Sequence, residues 1–408
     1  MRVAKDEVTI GGDNVLSPWL EKVLDYSKES ESPKQYFYWA GLAALSGVVR
    51  NKVYLDKFYY KLYPNLYILL IGKSGIRKGI PVALAKELVN SAKITRVISG
   101  RASIQKIISE LATAHSIPGG APLLDSVGYF SSSEFASFII QDQQALTILT
   151  DLYDGHYHPD GWSNMTKVSG NEKLKNVCLT MFGASNEVHF KEAVPDNALG
   201  GGFIARTVIV YADRKNGINS LSRRPIGSLD IVQLTDHLQK VKEVEGEFKW
   251  SDEGRDVYDA WYNDFNSQAS DDDTGTLERI HDTVLKIAML ISLSRKLDLV
   301  LEKEDIEEAL DQARKTVPGL RRIVMGAGKN PLGPQTAMIL KELLTRPPTY
   351  SASKSEILSK YWGHLDSYDL DRISESLQQQ KAIKVTEGGG DTYYILSPKL
   401  VENFFKGS

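Results

Sequence analysis

Lys78 and the glycines before it are the residues whose types and spacing point most directly to chemistry. The octapeptide Gly72-Lys73-Ser74-Gly75-Ile76-Arg77-Lys78-Gly79 follows the apolar run Leu66–Ile71 and precedes Pro81, whose ring suits a first helical turn. Strand, glycine loop and helix in that order can cradle a phosphate: backbone N–H groups surround the anion and the helix N-terminus favours its charge. Aligned on Lys78, the loop approaches the pattern G-x-x-x-x-G-K-[ST], in which the lysine reaches the β/γ-phosphates and the hydroxyl binds Mg²⁺. Gly72 and Lys78 are kept, whereas Arg77 stands at the second glycine and Gly79 at the hydroxyl. The nearer triplet Gly72-Lys73-Ser74 leaves no loop between strand and lysine, so Lys78 is the candidate phosphate ligand. A plain turn between strand and helix is the competing reading.

Three later segments could complete such a site. Val127–Ser131 reads as a short strand, and the segment continues to Glu134, placed to polarise a water beside a γ-phosphate, or else a first-turn acid behind a capping serine. Asn176–Phe182 reads as a buried strand leading to Ser185 and Asn186, whose amide could orient water or simply make a turn. Gly200-Gly201-Gly202-Phe203-Ile204-Ala205-Arg206 presents an arginine just before a strand. That arginine could act on a neighbouring subunit's nucleotide, or only solvate the surface.

The scaffold for these residues follows from length and patterning. A chain of 408 residues predicts two or three domains, and 42% hydrophobic with 25% charged residues excludes a mainly disordered or collagen-like chain. The formal charge of -3 gives no field over the whole molecule, so an anion must be held locally. Cys178, the single cysteine, excludes an internal disulfide and a cysteine-rich zinc site and fits a reducing compartment, with the cytoplasm as the expected location. Neither a secretory leader nor a membrane-length apolar run is legible.

Ser17-Pro18 starts a helix, Tyr36–Val49 reads as a buried helix, and Lys52–Lys61 as β-like. Strands then alternate with helices as in a mainly parallel α/β sheet, with a further strand at Thr207–Tyr211. The pattern turns helical from about Ser228, strongest over Glu278–Leu297 and Lys303–Val317, with Pro318-Gly319 as the expected stop. Beyond the linker Asn330–Pro334, helices at Gln335–Thr345, Ser353–Tyr361 and Ser367–Gln380 precede a hairpin over Ile383–Leu396 that turns at Gly388-Gly389-Gly390. This order predicts a winged helix-turn-helix. The expected organisation is a helical region 1–63, an α/β core 64–227, a helical domain 228–329 and a winged helix 335–408.

Taken together, the chain over Trp19–Leu297 resembles phage- and plasmid-borne, primase-associated P-loop ATPases, relatives of RecA-type and replicative ring helicases. The resemblance rests on Pro64-Asn65-Leu66-Tyr67 before Gly72-x-Ser74-Gly75-x-x-Lys78, Ser132-x-Glu134, Gly201-Gly202-Phe203-x-x-Arg206, and Glu278-Arg279 before Lys286-Ile287-Ala288. It implies a RecA-like core with ATP and Mg²⁺ held by the loop from Gly72 to Gly79 together with Glu134 and Asn186. It further implies Arg206 acting in trans and Arg279 as a second phosphate sensor. The implied activity is an ATP-dependent DNA helicase or translocase, working as a hexameric ring with a primase or other replication protein, in a bacterial cytoplasm. Gly79 for Ser/Thr, and Ser133 for the acid usual before the catalytic Glu, both fall on Mg²⁺ positions and predict weakened hydrolysis. A nucleotide-controlled helicase loader with weak ATPase activity is the first alternative, and a winged-helix DNA-binding regulator the second.

Other groupings carry less. His156-Tyr157-His158 with Asp151, Asp154 and Asp160 has the types of a metal cluster, but Gly155 and Pro159 argue for a loop, and no metal site is assigned. Trp162, Asn164 and Lys167 near that loop are candidate DNA contacts in a ring channel. The aromatic group Phe248, Trp250, Tyr258, Trp261, Tyr262 and Phe265 reads as packing surface, and Arg214, Lys215, Arg223 and Arg224 as a modest basic patch or charged linker. Gln335–Ser408 balances nine Lys/Arg with nine Asp/Glu, which favours a protein-contact role over duplex reading.

Overall fold

The computed structural model describes residues 16–100, 102–112, 115–116, 122–123, 125–142, 144–155, 161–166, 170–194, 202–219, 231–267, 276–326, 332–362, 365–398 and 400–401. The chain forms two compact units, Met1–Met325 and Gly326–Ser408. Segments 1–63 and 64–227 and nearly all of 228–329 therefore share one unit, because helices from the first and third cover the sheet built by the second.

In the first unit, α1 (Pro18–Tyr26) begins where Ser17 caps it and Pro18 needs no N–H partner. Next, α2 (Lys34–Val49) is buried along almost its whole length, as its Ala- and Gly-rich apolar sequence requires. The segment expected to be continuously β-like is a hairpin, β1 (Val53–Asp56) and β2 (Lys61–Leu62), interrupted at Phe58, which adopts a left-handed φ of 67°. Then follow β3 (Tyr67–Gly72), α3 (Gly79–Ala92), β4 (Arg96–Ser99) and α4 (Ile104–Ala112). The short pair β5 (His115–Ser116) and β6 (Pro122–Leu123) precedes β7 (Val127–Ser132), α5 (Phe135–Gln141) and α6 (Ala145–Tyr153). A second hairpin, β8 (Trp162–Thr166) and β9 (Gly170–Leu174), leads to β10 (Cys178–Asn186), α7 (Glu187–Ala193) and β11 (Thr207–Ala212). The remainder is α8 (Ile231–Val241), β12 (Gly246–Trp250), α9 (Asp252–Ser267), α10 (Thr276–Arg295), β13 (Val300–Leu301) and α11 (Lys303–Gly326).

The central sheet has the order β11-β3-β10-β7-β4 with all neighbours parallel, compatible with a Rossmann-like or RecA-like core. β3 is buried on both faces, which is why it reads as an unbroken apolar run. Its alternate residues feed two cores. Ile68 and Leu70 pack with α1, α2, α3, α8 and α10, while Tyr67, Leu69 and Ile71 pack with α4, α5, α6 and α7. β1, β2, β12 and β13 form a second sheet, in which β12 pairs parallel with β1. β12 lies in a stretch expected to be helical, and β4 was not legible as a strand.

The expected stop at Pro318-Gly319 is overturned, since α11 runs through Pro318 to Gly326. Tertiary contacts outweigh the missing N–H: Ile323 is buried in the second core, and Leu320 and Val324 pack against it. Gly319 sits where any Cβ would come within 2.6 Å of Tyr211 Cβ, so glycine is what lets the helix approach β11 this closely.

The second unit contains α12 (Gly333–Leu344), β14 (Ser351–Ser353), α13 (Lys354–Lys360), α14 (Ser367–Gln379), β15 (Ile383–Gly388) and β16 (Asp391–Leu396). Its three-stranded antiparallel sheet has the order β14-β16-β15, and Gly389 and Gly390, both at positive φ, turn the hairpin. Ser353 and Glu356 form a capping box on α13, and Ile339, Leu343, Ile357, Leu370, Ile373 and Tyr394 form a separate small core. No helix among the described residues is long and apolar enough to cross a membrane.

Candidate functional site

The topology selects a site before any side chain is considered. The connection leaving β3 carries α3 on one face of the sheet, whereas those leaving β4, β7 and β10 carry α4 to α7 on the other. β3 and β10 are neighbours whose chains depart to opposite faces, and such a switch point opens a crevice at the strand C-termini. Gly72 ends β3 there, in register with Asn186 of β10 on one side and Ala212 of β11 on the other.

The loop after Gly72 contains two residues in the left-handed region. Gly75 has φ 85°, and Arg77, at the position where the pattern calls for glycine, adopts φ 62°. The left-handed conformation is thus kept by a residue that pays a steric penalty for it. Arg77 is braced: its carbonyl accepts from Ser32 Oγ at 2.7 Å, and its guanidinium lies 3.3 Å from Glu31. Glu31 also pairs with Lys215 at 2.7 Å, and this hydrogen bond, chief among others, holds its carboxyl at about 2. Ile76 is the loop's buried anchor, while Lys73, Ser74, Gly75 and Gly79 are exposed.

Lys78 is the residue at which α3 begins, and its Nζ donates to the carbonyls of Gly72 at 2.9 Å and Lys73 at 2.7 Å. The ammonium folds over the loop in which a phosphate would sit. Burial lowers its pKa from the ordinary lysine value, and the Glu134 charge opposes that shift, so the structure brings these two residues into electrostatic range. Glu134 is itself the N-cap of α5 and makes no side-chain capping bond, so it is not the first-turn acid behind a capping serine. Asn186, by contrast, caps α7 by accepting from Val188 N at 2.9 Å. Ser185, beside it on β10, is fully buried, and its hydroxyl has no hydrogen-bond partner, an open polar position at the crevice.

Gly72 is irreplaceable on steric grounds. A Cβ there would collide with the Ala212 carbonyl oxygen and Ile76 and stand 2.8 Å from the Tyr36 hydroxyl, which itself donates to Ile71 O at 2.7 Å. Gly72→Ala is expected to destabilise the first unit by about 1–3 kcal/mol and to weaken nucleotide binding. Denaturant titration with and without nucleotide checks this, and unchanged stability would remove the steric argument.

Arg206, expected to act on a neighbouring subunit's nucleotide, and Arg279 both lie away from this chain's own loop. Arg206 precedes β11, at the sheet edge opposite the loop, about 20 Å from Gly72 by the length of a six-residue strand. Its side chain is 11% exposed, and it forms an ion pair with Asp154 and donates to Gly202 O at 3.0 Å. Arg279 is exposed on α10, near Tyr60 rather than the loop. Trp162 packs against the second core in β8, a strand where a loop was expected. The side chain of Asn164, all of Lys167, His156, Tyr157, His158, Pro159, Asp160, Gly200, Gly201, Arg223 and Arg224, and the side chain of Glu278 lie outside the described residues. Among the described residues no cluster of His, Cys, Asp and Glu could hold a metal ion.

Sequence reasoning missed the charge network next to Asn186. Glu187 accepts from Arg322 at 2.8 and 3.1 Å, from Lys191 at 2.9 Å and from the Tyr211 hydroxyl at 3.0 Å. Burial opposes its ionisation, but these donors outweigh burial and hold the carboxyl at about 2. Arg322 also lies over the Tyr211 ring at 4.5 Å, so α11 is tied to the rim of the crevice. Arg322 is distant in sequence, and only the unexpected continuation of α11 delivers it. No protein-family model matches the chain, and no curated protein matches it.

Proposed function

We propose that the chain is a nucleoside-triphosphate-hydrolysing DNA motor of the ring-helicase type, and that the crevice at Gly72 and Asn186 takes the triphosphate. The observation that carries this reading is the loop itself: a left-handed Arg77 keeps the cradle shape, and Lys78 closes over it at the switch point. The unpartnered hydroxyl of Ser185, next to Asn186 on β10, suits a polar ligand.

In this reading loop N–H groups bind the β-phosphate, and Lys78 exchanges its two carbonyl acceptors for β/γ-phosphate oxygens. Glu134 orients the attacking water from the far side of β10. Mg²⁺ would supply charge neutralisation on the phosphates, with Glu134, whose charge acts on Lys78, as its carboxylate and waters completing its shell. Arg206 is left out of the hydrolytic step because Asp154 already neutralises it. The second unit, with its three helices and glycine-turned hairpin, is proposed to be a winged helix that contacts protein. Its α14 carries Asp369, Asp371 and Glu375 against Arg372, an unsuitable surface for phosphate.

A second reading, a nucleotide-controlled helicase loader, draws on Gly79, which offers no hydroxyl. A Cβ at Gly79 would meet nothing within 4 Å, so a larger residue fits. Gly79→Thr is expected to raise hydrolysis about tenfold, equivalent to about 1.4 kcal/mol. Phosphate release with and without single-stranded DNA, alongside mass measurement with and without nucleotide, separates the readings. A motor shows DNA-stimulated turnover. Tight binding with negligible turnover that Gly79→Thr fails to raise favours the loader.

A further inference from the structure

The turn between β1 and β2 displays two aromatic rings that the nucleotide site does not use. Phe58 is 87% and Tyr59 91% exposed, and their rings meet edge to face at 4.9 Å. The turn is held tightly: Phe58 N donates to Asp56 Oδ1 at 2.7 Å, Tyr59 N to Lys57 O at 2.8 Å, and Lys57 N to Tyr60 O at 2.9 Å. Phe58 holds a left-handed φ of 67°, a conformation an aromatic residue adopts only where the surroundings impose it. Lysines flank the pair, and each is positioned over a ring, Lys57 at 5.9 Å from Tyr258 and Lys61 at 4.1 Å from Tyr54. The single acid of the turn, Asp56, has a carboxylate oxygen already engaged by the backbone.

We propose that the Lys57–Lys61 turn is a stacking site for single-stranded nucleic acid, with Phe58 and Tyr59 as the base platform and Lys57 and Lys61 as phosphate contacts. Burial would be the default for two large adjacent rings, and their rigid display in water suits a ligand with flat apolar faces. Lysines on both sides add the charge complementarity that fits a polyanion with exposed bases and not a purely apolar protein surface. Tyr60 of the turn donates to Asp282 of α10, one helical turn from Lys286, which donates to Asn65 just before β3, whereas the phosphate loop follows the other end of β3, so strand and nucleotide do not compete. This inference rests on the reading of the chain as a DNA motor and gives that motor its grip.

The test uses the full chain and a fluorescein-labelled oligothymidylate in anisotropy titrations. Replacing both rings, Phe58→Ala with Tyr59→Ala, is expected to weaken binding about tenfold per ring. Phe58→Leu with Tyr59→Leu keeps apolar area but removes the π-faces, and is expected to weaken binding as much as alanine does. Lys57→Gln with Lys61→Gln should flatten the dependence of log affinity on log salt by about 1.4. Basal nucleotide hydrolysis without DNA is expected to stay unchanged in all three variants. If the wild-type chain binds the strand and the ring variants bind equally well, the stacking site is wrong while the motor reading stands. A wild type that hydrolyses nucleotide but binds no strand removes both. Full activity in the leucine variant with a changed oligomeric mass in the alanine variant assigns the turn to a protein contact and overturns the proposal.

Discussion

Lys78→Ala should reduce nucleotide hydrolysis at least about a hundredfold, the order lost when a preorganised charge on a developing anion is removed. No other cation in the loop can replace it. Arg77 is exposed and directed to Glu31, and Lys73 is exposed at the strand end, before the cradle begins. The ammonium of Lys78 is half-buried and aimed at the carbonyls of Gly72 and Lys73, so its removal exposes carbonyl dipoles to the phosphate in its place. Binding of a fluorescent nucleotide should weaken as well, whereas Glu134→Gln should leave binding intact and depress turnover alone. Single-turnover phosphate release and equilibrium binding, run on both variants, separate these effects. Unchanged release in both would remove the site at Gly72 from the chemistry.

The local parts of this site could be read from the chain, and the long-range parts could not. The apolar run before Gly72, the proline after Lys78 and the capping pair Ser17-Pro18 each act over a few residues, and each leaves a sequence signal that the structure repeats. The insertion of β10 between β3 and β7 is a different matter, because sheet order depends on pairing between segments over a hundred residues apart and no local pattern encodes it. The same limit governs Arg206. Its ion-pair partner Asp154 lies 52 residues earlier in the chain, and nothing in the glycine-rich approach encodes that pairing. Proline and glycine at 318–319 were misleading for a physical reason as well. Helix-breaking preferences count only a few kcal/mol, and the packing of Ile323 with the bonds from Arg322 to Glu187 exceeds them. Arg77 shows the converse: where the pattern calls for glycine, a non-glycine residue adopts a left-handed φ.

Lys286→Met should stabilise the first unit at neutral pH by about 2 kcal/mol. Lys286 is 2% exposed, its Nζ bonded to Asn65 Oδ1 at 2.9 Å and Asn65 O at 3.2 Å and placed 3.8 Å from the centre of the Tyr153 ring. Burial pushes its pKa down to about 7, and Asp154, the acid that most favours the ammonium, is already paired with Arg206. In the unfolded chain the same group titrates near the ordinary lysine value of 10.5. Between those two values the unfolded chain binds a proton that the folded chain has released, so unfolding free energy rises with pH across that window and the stabilisation is lost as pH falls through 7. A gap of that size corresponds to about 5 kcal/mol, of which the two Asn65 acceptors orphaned in the methionine variant return about 1–3 kcal/mol. Arg206→Ala, which frees Asp154 to face Lys286, should raise the lower end of that window and so narrow it. Guanidinium unfolding at neutral pH and near pH 10 measures each slope. A wild-type stability that is flat or falling over that range, or a methionine variant less stable at both ends, would show that the buried amine keeps its proton.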